Sequence, residues 1–309
     1  MTVIVRDLRP GDRSDAEGFA HVRRLAVPYL LMTAESVLYD LQHAPAESAL
    51  RLFVAEEDGE VTGTAQVGLE SGSAEPGQAF VNVYVRPGRT GRGAGSLLTA
   101  AAEAHLAACG ARQLFSWVLD APGNRVFAER RGYLPRRSAH LQRLDLAGAP
   151  LPAPGEPPPG FALCRGADFA DDPRPVFALD SEAMADEPSD VDHVSDTYGT
   201  WLAETWHHPL FDRELTTVVV ADGRPVAFSA ARTDGGTRYG TVMTGTARAF
   251  RGRGLAKLAK ADSLHRARAA GFLEAFTGND TGNGPMLAIN SWFGYEVCAT
   301  EVRHVRELG

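Results

Sequence analysis

Apolar positions fall along the chain in two successive rounds of one order. Residues 3–8 alternate like a short strand, 12–27 and 33–43 carry apolar residues at helical spacing, and 52–55 and 61–69 read as strands joined by the turn Glu57-Asp58-Gly59-Glu60. A Phe- and Val-rich run from Ala79 to Val85 ends at Pro87. Thr90-Gly91-Arg92-Gly93-Ala94-Gly95 then opens an alanine-rich helix from Ser96 to about Ala108. Gln113–Leu119 reads as a buried strand, 124–131 as a short helix and 133–146 as a closing strand region.

After residue 146 the pattern stops. Residues 147–160 hold six prolines, which fix φ and remove backbone donors, so this stretch reads as a semi-rigid linker. The same order then returns. A strand at 161–164 precedes a helical region reaching Trp206, strands follow at 215–221, 225–233 and 237–247, and Arg251-Gly252-Arg253-Gly254-Leu255-Ala256 opens a second long helix. Landmarks recur at a nearly constant offset: Gly91 with Gly252, Gly110 with Gly271, Asp120 with Asp280, Asn124 with Asn283, and Gly132-Tyr133 with Gly294-Tyr295. Such self-similarity predicts two copies of one fold in tandem: an N-terminal domain over 1–146, the linker, and a C-terminal domain over 161–309. A chain of 309 residues also favours two domains of roughly 150 residues each.

Both glycine turns join a strand to a helix start. Glycine removes the Cβ atoms that would hold a ligand off the backbone, and the helix start offers unpaired N–H groups and a positive dipole end, so each turn is a candidate anion site. Composition narrows the partners. A net charge of -8 argues against a general nucleic-acid or anionic-membrane binder. Three distant cysteines (Cys109, Cys164, Cys298) lack zinc-ligand spacing and read as reduced thiols, so no metal is expected. With no basic leader and no apolar run near the ~20 residues that span a bilayer, the expectation is a cytoplasmic protein, a monomer or homodimer.

A β-run, then Arg-x-x-Gly-x-Ala at a helix start, then helix, strand, and an Asn eleven residues before Gly-Tyr resembles the GNAT superfamily of acyl-CoA-dependent N-acetyltransferases. Arg251, Gly254 and Ala256 fill that signature. With the segment 277–290, the repeat is similar to the tandem group that includes mycothiol synthase. The resemblance implies an α/β (α+β) protein of two domains, each a mixed, mostly antiparallel sheet flanked by helices. It implies acetyl-CoA as co-substrate, direct attack by a small-molecule amine in a ternary complex, and no covalent enzyme intermediate.

Carried over residue by residue, the resemblance makes Arg251, Gly252, Arg253, Gly254, Leu255 and Ala256 the cofactor cradle. Thr244, Gly245 and Thr246 would pair with the pantetheine arm, and Asn283 would contact the cofactor or cap the next helix. In the N-terminal copy Thr90 stands where Arg251 does, so Val83, Tyr84, Val85, Thr90, Gly91, Arg92, Gly93, Ala94, Gly95 and Asn124 form a second, degenerate cradle. The C-terminal domain is therefore the expected catalytic one. The family's tyrosine acid is absent, since Asn290 and Ala128 occupy its place. Tyr295 remains as a candidate acid and, with Tyr133, as a packing residue. The fourth strand of the C-terminal copy lacks a carboxylate, but nine acids and no Lys or Arg lie between Arg174 and Arg213. Among them Glu182, Asp186 and Glu187 are candidate bases at a mouth suited to a cationic amine. A solvated acidic face is the plain alternative, as is a non-catalytic acyl-CoA-binding protein for the chain as a whole.

Overall fold

The computed structural model describes residues 2–70, 72–73, 75–187 and 197–308. Its elements run β1 (Ile4–Asp7), α1 (Arg13–Ala26), α2 (Ala34–His43), β2 (Arg51–Glu57), β3 (Glu60–Leu69), β4 (Gln78–Val85), α3 (Ala94–Ala108), β5 (Gln113–Leu119), α4 (Pro122–Glu129) and β6 (Leu134–Asp145). Then follow β7 (Phe161–Arg165), α5 (Arg174–Met184), α6 (Tyr198–Trp201), β8 (Phe211–Ala221), β9 (Arg224–Thr233), β10 (Arg238–Thr246), α7 (Leu255–Ala269), β11 (Glu274–Asp280), α8 (Gly284–Trp292) and β12 (Glu296–Glu307). Each unit is a mixed, mostly antiparallel sheet flanked by helices, and the second round repeats the first.

The compact units depart from the expected boundaries at their last strands. Among the described residues, one unit holds 2–139 with 299–308, and the other holds 140–187 with 197–298. In the first, strands run β1-β2-β3-β4-β5-β12; in the second, β7-β8-β9-β10-β11-β6. The edge of β5 is taken by the last strand of the chain, while the closing strand region of the expected 1–146 domain, β6, pairs with β11. Seven antiparallel pairs from Glu301↔Leu119 to Glu307↔Gln113 fix the register. On one face Val305 packs with Phe115, and the Arg303 guanidinium lies 4.5 Å from that ring. In the second unit, Leu144 and Leu146 at the end of β6 join the core of Tyr239, Leu264 and Phe293.

The first unit has a core on each face of its sheet. Leu98, Ala102 and Leu106 recur at helical spacing on α3 and pack on Val67, Ala79, Val81 and Leu114. Each buried leucine contributes about 2 kcal/mol. Phe19 and Ala16 of α1 cover Leu52 and Val54 on the other face. Local chemistry fixes the helix starts: Asp12 accepts from Ser14 N–H ahead of α1, and Thr33 and Ser36 form a capping box at α2.

Candidate active site

Parallel strands in a sheet normally stay paired, but β4 and β5 do so only over Gln78–Phe80 and Gln113–Phe115. Beyond Phe80 the two strands part, and a cleft of about 820 Å³ opens between Val81–Val85 and Ser116–Leu119. Its floor is the first turn of α3, and its far side is α4. Splayed strands leave backbone donors and acceptors without a ladder partner, so the cleft offers peptide groups to an extended polar ligand.

The turn at one end of that cleft has the geometry of an anion cradle. Gly91 and Gly93 adopt φ of +78° and +97°, Gly93 stands at the N-cap without a side-chain cap, and α3 starts at Ala94, two residues earlier than the sequence pattern indicated. A Cβ at either glycine would meet no atom within 4 Å. The space beside the turn is open, and its free N–H groups sit at the positive end of α3. Basic side chains border it. Arg89 bonds to Glu57 (3.3 Å) and Glu60 (3.4 Å), and Arg131 stacks on Phe127 at 3.7 Å and donates to Ser96 Oγ (2.8 Å). Asn124 lines the cleft and donates to Leu119 O (3.3 Å).

Small side chains keep the interior of this cleft open. Thr99, one turn into α3, folds its hydroxyl back onto Gly95 O (2.8 Å), Gly95 adds no side chain, and Ala128 closes the α4 side. Tyr133, also on the wall, is buried and donates to Glu103 (3.0 Å), which pairs with Arg306 (2.6 Å). Burial first, then the Glu103 charge, raise its phenol well above the ordinary range. It therefore stays protonated and anchored.

The second unit repeats the frame. β10 and β11 pair only over Arg238–Gly240 and Glu274–Phe276, Gly252 and Gly254 both have φ of +75°, and α7 begins at Leu255. The filling differs. Lys260 stands 161 residues after Thr99 and Asn290 162 residues after Ala128, at matching places of the repeat; both are fully buried. Lys260 Nζ donates to Asn290 Oδ1 (2.6 Å), and Asn290 Nδ2 donates to Gln142 (2.8 Å) and Asn279 (2.7 Å). Burial lowers the Lys260 amine to about 7, and it lies 4.9 Å from the Tyr295 ring.

At the rim of this unit's cradle, an acid of its own chain pairs with the arginines. Asp186 accepts two bonds from Arg248 (2.9 and 2.7 Å) and one from Arg251. Those two guanidiniums, Arg248 first, hold its carboxyl well below the usual carboxylate range. Glu182 accepts from the Arg248 backbone N–H (2.6 Å). Helix α5 presses on the end of β10, where a Cβ on Gly245 would fall 2.5 Å from Ala183 Cβ and 2.8 Å from Phe228.

The expected site residues are thus spread over two places. Glu182 and Asp186 sit against the C-terminal cradle as ion-pair and hydrogen-bond partners, and Glu187 is exposed just beyond α5. Arg251 donates to Thr246 O (3.1 Å), Arg253 lies over Phe250, and Thr244 meets Ser229 (3.3 Å). Asn283 caps α8, accepting from Met286 N–H (3.3 Å). Tyr295 is buried beside Tyr239, and burial pushes its hydroxyl well up. Of the acidic run, Asp190, Asp192 and Asp196, with His193, lie outside the described residues. In the first unit, Val83, Tyr84, Val85, Thr90, Gly91, Gly93, Ala94, Gly95 and Asn124 line one cleft, while Arg92 turns to Glu57 at 3.7 Å.

The sequence reading passed over Glu301. It lies on β12 opposite Leu119, a residue of the first unit's cleft, is 8 % exposed, and accepts from Tyr29 Oη (2.9 Å). Nothing local marks it, because its neighbours come from the opposite end of the chain.

A splayed sheet with a glycine cradle at a helix start is the geometry of a site for an extended anionic ligand. Residues 19–133 match the acetyltransferase (GNAT) family. Over its whole length the chain is similar to a tandem GNAT protein from the clavulanic acid biosynthesis pathway (21 % identity, 100 % of this chain and 99 % of that one, TM-score 0.74). It is also similar to a GCN5-related N-acetyltransferase from Sphaerobacter thermophilus (22 %, 99 % and 95 %, TM-score 0.72). A search of curated proteins finds no match. The family match falls within the first unit, and over its whole length the chain has the fold of these two structures. Acetyl-CoA is the co-substrate of that family. Among the described residues, no His, Cys, Asp and Glu cluster of metal-binding geometry occurs and no helix is long and apolar enough to cross a membrane.

Proposed function

We propose that this protein is an acetyl-CoA-dependent N-acetyltransferase whose working cleft is in the first unit, with a small primary amine as acceptor. The observation that carries this reading is the open wedge between β4 and β5 ending at Gly91 and Gly93, set against the second unit, where buried Lys260 and Asn290 stand at the places of Thr99 and Ala128. The fit of the cofactor to these residues is physical. Backbone groups of Val83–Val85 lack ladder partners toward β5, the space beside Gly91 and Gly93 is open, and Arg89 and Arg131 bring positive charge to the rim.

In the bound state acetyl-CoA supplies an activated thioester. The chain's own contribution is to hold it: the glycine turn binds anionic groups, the β4 edge orients an extended arm, and the apolar walls Val81, Val118 and Phe127 exclude water. An alkylammonium with a pKa near ~10 must lose a proton before it attacks, so a base beside the cleft is required. Retaining the C-terminal cradle as the working site would require displacing Asp186 from both arginines and the Lys260–Asn290 pair from the wedge.

The test is release of free thiol from acetyl-CoA with spermidine, glucosamine and glycinamide as acceptors. Transfer to at least one, well above hydrolysis, is expected. Tight CoA binding with no transfer to any of them would instead favour an acyl-CoA-binding protein without catalysis. A cysteinyl-sugar acceptor, as in mycothiol synthase, is the narrower enzymatic alternative and belongs in the same panel.

A further inference from the structure

Resting on the first-unit reading, we propose that Glu301 is the general base that deprotonates the acceptor amine. It is contributed by the last strand of the chain, far in sequence from the cradle that it serves.

Placement carries the argument. Glu301 is the ladder partner of Leu119, so their side chains share a face of the sheet, and Leu119 lines the cleft. Tyr29, the hydrogen-bond donor to Glu301, follows the cleft-lining residues Ala26 and Val27 in the loop between α1 and α2. Tyr84, a third wall residue, interacts electrostatically with both Glu301 and Arg23. The carboxyl therefore sits where the α1–α2 loop, β4 and β5 meet, on the sheet face opposite α3.

Its surroundings suit a base. Among the described residues, Tyr29 is the one hydrogen-bond donor recorded to a carboxylate that has about four acceptor sites. The structural cations nearby are directed elsewhere. Arg23 donates to Gln66 (3.0 Å) and Asn82 O (3.2 Å) and lies over Phe19 and Tyr84, while Arg303 lies over Phe115 and Trp117. Burial raises the Glu301 carboxyl, against the opposing bond from Tyr29, and so moves it toward neutral pH where a base is most effective. A buried carboxylate kept only for stability would be expected to have an ion-pair partner.

The step balances without another reactant. Glu301 takes one proton from the ammonium, and the freed nitrogen lone pair attacks the thioester carbonyl. A C–N bond forms, the C–S bond breaks, and the sulfur leaves with its electron pair. The second nitrogen proton passes to that thiolate, giving amide and thiol, and Glu301 returns its proton to solvent.

The test uses the full-length chain, with acetyl-CoA and whichever of spermidine, glucosamine and glycinamide the wild type turns over fastest. Glu301→Gln should keep acetyl-CoA affinity within about twofold, lower kcat about 100-fold or more, and remove the acidic limb of the kcat/KM profile. Tyr29→Phe takes away a bond that favours the carboxylate, so that limb should move to higher pH with a smaller loss of rate. Should Glu301→Gln fail to fold, the Tyr29→Phe profile decides alone. Turnover in Glu301→Gln within threefold of wild type, or an acidic limb that neither variant moves, overturns the role of Glu301 while leaving the first-unit site standing. No transfer by the wild type to any of the three acceptors overturns both readings.

Discussion

The two units share a frame and differ in what fills it. Both have parallel strands that part after three pairs, two glycines in the left-handed region and a long helix behind them. In the first unit the wedge is bounded by Gly95, Thr99 and Ala128 and stays open. In the second, Lys260 and Asn290 stand at the places of Thr99 and Ala128 and bond to each other, and Asp186 pairs with both arginines at the cradle. A degenerate motif is therefore compatible with an open cleft. Backbone conformation sets the anion turn, so loss of one arginine at Thr90 costs a peripheral charge, whereas Lys260 and Asn290 put larger, buried side chains at the places of Thr99 and Ala128.

The largest effect should come from converting one filling into the other. Thr99→Lys with Ala128→Asn places the second unit's pair in the first unit's cleft. It should weaken acetyl-CoA binding more than 10-fold, by occupying space that the ligand needs, and a calorimetric titration reads this directly. Unchanged affinity would show that these positions do not distinguish the units.

A smaller effect tests the state of the second unit. The folded Lys260 amine titrates near 7 against 10.5 when free. Between those values the unfolded chain holds a proton that the folded chain lacks, so stability should rise with pH at about 1.4 kcal/mol per unit across that window. Denaturant titrations at pH 7.5 and 9.5 should show this rise in the wild type and its loss in Lys260→Met. An equal rise in both would mean that Lys260 stays charged in the fold.

Most of the architecture was readable from periodicity: the hairpins, both glycine turns and the tandem repeat fall within a few residues of their observed positions. Strand exchange was not. Residues 133–146 and 296–307 carry similar alternating patterns, and period two says which face a strand buries without saying whose edge it joins. Glu301 was hidden for the same reason, since its role depends on Tyr29 and Leu119 as neighbours. The Lys260–Asn290 pair was half visible, because the repeat aligned Asn290 with Ala128, but hydrophobic spacing along α7 gave no sign that a lysine would point inward. Asp186 illustrates the converse: an acid-rich run suggested an acceptor mouth, while distance in three dimensions makes this member of it a partner of Arg248 and Arg251.

The central claim is that one chain binds one acetyl-CoA, in the first unit. Calorimetric titration of acetyl-CoA into the wild type, Gly93→Trp and Gly254→Trp tests it most directly. Both glycines have positive φ and open space beside them, so the backbone strain of the two substitutions is comparable and the cradles are compared fairly. The account predicts one equivalent bound by the wild type, lost in Gly93→Trp and retained in Gly254→Trp. Loss in Gly254→Trp with retention in Gly93→Trp, or two equivalents bound by the wild type, would contradict it.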